Sequence, residues 1–153
     1  APDPALPDLE VGQRRIRRHE MHRSQTYAAF IKQLCERGGM SPGVAEKAAT
    51  SVLCAIEQRI MPDESRNMEA QLPRKLTELL HRCERHEDEM PRKFGRDELL
   101  RMVGEDLDLE PDAVVPVVRA VCDVVRSRLS EGEAEDVMGQ LPEELRAFWR
   151  PLA

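Results

Sequence analysis

Aromatic residues are scarce: Phe, Tyr and Trp make up 3% of the 153 residues, with one Trp and one Tyr among them. A core with so few rings must be filled by aliphatic side chains, and stacking platforms for nucleic-acid bases are hard to assemble. Long apolar runs are missing too. The longest uncharged apolar stretches, such as 48–56 and 113–118, fall well short of the ~20 residues a membrane-spanning helix needs. No basic segment followed by an apolar leader opens the chain. A soluble, unexported, cytoplasmic protein with no membrane partner is therefore expected. Nucleophile elbows, phosphate loops and dinucleotide fingerprints are absent, and the eight glycines fall mainly at helix ends, so no catalytic or cofactor-binding residue is expected. The four cysteines, Cys35, Cys54, Cys83 and Cys122, are widely spaced with no C-x-x-C pair. That pattern suits free thiols packed in a core within a reducing compartment.

Charge is what the chain has in quantity: 34% of residues are charged, and 29 acids against 23 Lys and Arg leave a net charge of −6. Residues 1–23 run against that balance. They hold three prolines, no apolar periodicity, and the basic group Arg14, Arg15, Arg17, Arg18 and Arg23. A flexible tail is expected there. Its patch suits phosphate, an acidic partner or the chain's own acidic surface, but without interleaved aromatics nucleic-acid binding is the less favoured use.

The chain aligns with itself, without a gap, when 26–82 is laid on 95–151. Nine positions are identical, among them Pro42/Pro111, Arg59/Arg128, Glu64/Glu133 and the triplet Gln71-Leu72-Pro73/Gln140-Leu141-Pro142. Apolar character follows the same register, as at Phe30/Leu99, Leu34/Val103, Ile56/Val125 and Leu80/Trp149. A fixed internal period marks a repeated structural unit.

Each half reads as four helices. Tyr27, Phe30, Ile31, Leu34 and Cys35 keep helical spacing until Gly38-Gly39 stops the run. Ser41-Pro42 is an N-cap followed by proline at the first helical position, and opens a longer helix with Ala45, Ala48, Ala49, Val52, Ile56 and Ile60 inward. A third helix starts near Pro62 or Asp63, and Gln71-Leu72-Pro73 turns the chain into a fourth with Leu76, Leu79 and Leu80. In the second half, Ser130 and Glu133 have the spacing of a capping box, worth about 1 kcal/mol. The stretch Val114-Val115-Pro116-Val117-Val118 has the β-branched content of a strand. Its apolar set Val114, Val117, Val118, Val121 and Val125 nevertheless keeps helical spacing, so a helix is expected, kinked or started late by Pro116. Trp149 is expected as a core anchor.

The reading is an all-α protein: two tandem pseudo-symmetric four-helix repeats, at 24–85 and 93–153, packed into one bundle with no sheet and joined by the charged linker 86–92. Each half is short and has few aromatics, so mutual burial is expected to make them one cooperative unit. The apolar stripes should shelter one another and leave no acids, bases or ions inside. Glu131, Glu133, Glu135 and Asp136 should form a solvated face.

The endings Met68-Glu69-Ala70-Gln71-Leu72-Pro73-Arg74-Lys75-Leu76 and Asp136-Val137-Met138-Gly139-Gln140-Leu141-Pro142-Glu143-Glu144-Leu145, followed by Phe148-Trp149, resemble a known pattern. With Phe30 and Leu99 in the opening helices, they are similar to the bacterial proteins catalogued as domain of unknown function 2267. The resemblance covers about residues 24–151 and implies a small, internally duplicated helical protein. It brings no activity or catalytic residues with it. The first half departs by having Arg74-Lys75 against Glu143-Glu144, and Leu79-Leu80 against Phe148-Trp149.

Metal chemistry has one candidate, His81, Cys83 and His86, in a run from the fourth helix into the linker. A structural zinc site needs four ligands, and no second pair is near. Glu78 and His81 also match the Glu-x-x-His of di-iron bundles, but that chemistry needs a second such motif, and the matching positions in the second half are Ala147 and Arg150. In His19-Glu20-Met21-His22 the histidines are three apart, against four in a zinc-protease helix. No metal ligand or cofactor is therefore expected. The expected function is a non-enzymatic interaction or scaffold module that binds another protein through a groove between the repeats or an exposed helix face. The alternatives are a nucleic-acid accessory protein using the Arg-rich tail, or a metal-binding protein using His81, Cys83 and His86.

Overall fold

A computed structural model describes residues 27–81 and 93–151. The described residues are all-helical, with no strand among them. In chain order the helices are α1 (27–38), α2 (Pro42–Glu57), α3 (Pro62–Ala70), α4 (Arg74–Leu80), α5 (Arg96–Leu107), α6 (Pro111–Arg128), α7 (Glu131–Gln140) and α8 (Glu143–Trp149). None is long and apolar enough to cross a membrane.

Local chemistry sets these boundaries. Ser41 caps α2 by accepting from Val44 N–H at 3.4 Å, with Pro42 in the first turn. Gly39 ends α1 at φ 64°, letting Met40 N–H reach back to Cys35 O. Asp108, at the matching position of the second half, has the same left-handed backbone at φ 55°, and Leu109 N–H returns to Gly104 O at 2.9 Å. The helix starts keep that register as well: Pro42 and Pro111, Pro62 and Glu131, Arg74 and Glu143. The valine-rich stretch is helical. α6 begins on schedule at Pro111 and runs through Pro116, so the expected late start does not occur. Pro116 lies on the exposed side, where the carbonyl freed by the missing N–H faces water.

The core is shared between the halves. α2 packs on α5, α6 and α4, while α6 also carries α5 and α8. α1 reaches across to α6, where Arg37 pairs with Asp123 at 3.2 Å and Gln33 accepts from Arg128 at 3.1 Å. Phe30, Leu34, Leu53 and Leu76 from the first half are fully buried, as are Leu99, Val103, Val114 and Trp149 from the second. Trp149 anchors its corner by donating Nε1–H to Ala134 O at 2.9 Å. The α5–α6 corner is tight: a Cβ on Gly104 would sit 2.7 Å from Leu109 O.

α3 and α7 meet at the seam through two matched contacts. Met61 N–H donates to Gln140 Oε1 and Ser130 N–H donates to Gln71 Oε1, both at 2.7 Å. Each glutamine thus serves the start of the helix in the opposite half.

Two expectations need correction. Cys54 is disulfide-bonded, whereas Cys35 and Cys122 are free. Wide sequence spacing carries no information about which sulfurs folding brings together, and the thiol argument for a reducing compartment falls with it. The interior is also not free of acids: Glu57, Glu64, Asp123 and Glu133 are all buried.

Candidate functional site

The seam between the halves opens into a groove of about 650 Å³, lined by Arg59 and Met61 from the first half and by Lys93, Phe94, Gly95, Gln140, Pro142 and Glu144 from the second. Met61 is exposed to 45%, although it is a large apolar residue at the N-cap of α3. Its backbone is held by Gln140 (2.7 Å), so the thioether is presented from a fixed point. Phe94 is half-buried and lies against the Arg59 guanidinium, 5.6 Å from carbon to ring centre. Glu144 is occupied in accepting from Arg96 N–H at 3.1 Å at the start of α5. Apolar surface between Arg59 and Lys93 is what remains to meet a ligand. Phe94 stands just after the linker and belongs to no periodic run, so nothing in its sequence context marked it.

Carboxylates collect in three places. Asp123 is 5% exposed and is neutralised by Arg37 at 3.2 Å and Arg126 at 3.1 Å. Glu57, 4% exposed, has its carboxyl pushed up to about 9 by burial, with Glu69 as the second cause. Glu69 in turn has His81 Nε2 2.8 Å away. At the junction of α3 and α7, carboxylate oxygens of Glu64, Glu133 and Asp136 lie within 4.8 Å of one another. Burial, and then the neighbouring Glu64, raise Glu133 to about 7.

Glu133 corrects the expectation of a solvated acidic face, because it is 7% exposed. The expected capping box is only half made. Ser130 Oγ accepts from Glu133 N–H at 3.2 Å, but Ser130 N–H donates to Gln71 instead of Glu133. A contact from the opposite half displaces the local partner, which the spacing of Ser130 and Glu133 had no means of showing. The matching identities Glu64/Glu133 and Gln71/Gln140 were the available signal.

Of the His81, Cys83 and His86 candidates, His81 pairs with Glu69, and the other two lie outside the described residues. Glu78 pairs with Arg74 at 3.2 Å on the surface and does not join His81. The arginines at 14, 15, 17, 18 and 23 and the histidines at 19 and 22 also lie outside the described residues.

A family model described as an uncharacterized conserved protein (DUF2267) matches residues 27–148, in agreement with the resemblance carried by the two Gln-Leu-Pro endings. No curated protein matches the chain.

Proposed function

The chain belongs to the DUF2267 family, and from that footing we propose that it is a non-enzymatic interaction module whose seam groove takes a segment of another protein. The carrying observation is the groove itself, which sets exposed Met61 and half-buried Phe94 beside Arg59 and Lys93. Exposed apolar surface of this kind marks interaction sites. Exposed Lys93 beside this apolar surface favours a segment that pairs an acidic residue with a large apolar anchor. Selection of a random-peptide display library on the folded chain is expected to enrich such sequences. Met61→Asp should weaken the selected peptides about tenfold, the cost of one lost anchor. Peptides that bind Met61→Asp as tightly as the parent would count against the groove.

The halves are, in this reading, one four-helix unit present twice and packed about a pseudo-twofold axis. Support comes from helix starts that fall in one register, left-handed residues at 39 and 108, and the reciprocal glutamine contacts. Equivalent positions should carry equivalent energies. Gln71→Ala and Gln140→Ala are each expected to lower stability by about 1 kcal/mol through loss of the bond to the opposite N-cap, with Gln140→Ala also losing the longer 3.4 Å bond to Glu64. Urea denaturation that finds one of them neutral would speak against the symmetry.

A further inference from the structure

Between α3 and α7 three carboxylates that do not line the groove come together. Glu64 and Glu133 each occupy the third position of their helix, from which a glutamate ordinarily reaches back to the N-cap amide. Both amides are taken, Met61 N–H by Gln140 and Ser130 N–H by Gln71. The two carboxylates instead converge with that of Asp136, one oxygen from each lying within 4.8 Å of the others. A separate observation points to an occupant. Glu64 Oε2 and Glu133 Oε2 accept from no N–H or O–H donor, on residues only 8% and 7% exposed, while the other oxygen of Glu64 accepts from Gln140 Nε2 at 3.4 Å. Anionic oxygens buried in this way are strongly disfavoured unless a positive species lies between them.

We propose that Glu64, Glu133 and Asp136 bind a hard divalent cation, with calcium the best fit. Three carboxylates with no nitrogen or sulfur donor select that class of ion. Calcium takes oxygen ligands at about 2.3–2.6 Å in flexible geometry and so suits three oxygens within 4.8 Å of one another, whereas magnesium demands a near-ideal octahedron at about 2.0–2.1 Å. Two helix N-termini nearby bring roughly half a positive charge each, and three carboxylates outweigh them. Asp136 is exposed, which gives the ion a route in and leaves room for water ligands. Asn67 stands at the position in α3 that Asp136 has in α7, one turn from Glu64.

The test is titration of chelator-treated full chain with calcium chloride, by calorimetry and by thermal unfolding, with sodium chloride at matched ionic strength as reference. One calcium per chain and a higher Tm are expected. Asp136→Asn alters an exposed position without disturbing packing, and should weaken binding about tenfold or more, because affinity follows ligand charge. Glu131→Gln, an exposed acid on the same helix outside the cluster, should leave binding unchanged. A Tm indifferent to calcium overturns the site, and so does an affinity that survives both Asp136→Asn and Glu133→Gln. Either result leaves a proton shared between Glu64 and Glu133 as the occupant.

Discussion

Glu57→Gln is expected to stabilise the protein at neutral pH, by on the order of 3 kcal/mol. Glu57 ends α2 in a place that excludes water, with Glu69 beside it, and its carboxyl is raised from 4.5 to about 9. The folded state therefore holds a proton that the unfolded chain releases. The sign follows: this group's contribution to stability is complete below about pH 4.5 and is lost progressively as pH rises toward 9. Glutamine keeps the shape of the protonated acid and carries no proton to lose. Urea denaturation at pH 5, 7 and 9 checks it. The parent should weaken over that interval and Glu57→Gln should weaken less. Equal midpoints at pH 7 would show that Glu57 is ionised in the folded chain.

The second large effect is complete loss of folding when the halves are separated. Peptides covering 24–85 and 93–153 are each expected to lack a cooperative unfolding transition, whereas the whole chain shows a single one. α2 has its main apolar contacts on α5 and α6, and α1 lies on α6. Either half by itself would expose the stripe that the other covers. Each would also lose charge partners, since Arg37 of the first half neutralises Asp123 of the second. About 60 residues bury too little surface to absorb both losses. Circular dichroism and calorimetry on the two peptides decide the matter, and a cooperative transition in either peptide would overturn it.

Helix positions were legible because their signals are local. Ser41-Pro42, Gly39 and the two Gln-Leu-Pro endings act within a few residues, and the valines of α6 kept helical spacing in spite of their strand preference. The interior acids were not legible. Glu133 sits in a sequence that looks like a self-contained capping box, and only the arrival of Gln71 from the other half redirects its carboxylate inward. Glu57 falls at the end of α2, where a surface position would be the ordinary expectation; α3 and Glu69 close over it. The groove is lined by Phe94 and Met61, neither of which gave a periodic sign of its place. What escaped the sequence is in each case a contact made by a partner far away along the chain.

Gly104 makes the two halves non-interchangeable. Its counterpart in the first half is Cys35, and no side chain fits where Leu109 O approaches to 2.7 Å of a would-be Cβ. Cysteine placed at 104 alone, with the Asp108-Leu109 turn left as it is, would drive its side chain into that carbonyl and pry α5 from α6. On the proposed duplication the change is a ratchet: with one copy closed down around a missing side chain, restoring any larger residue there becomes a collision, and the pair is committed to diverge.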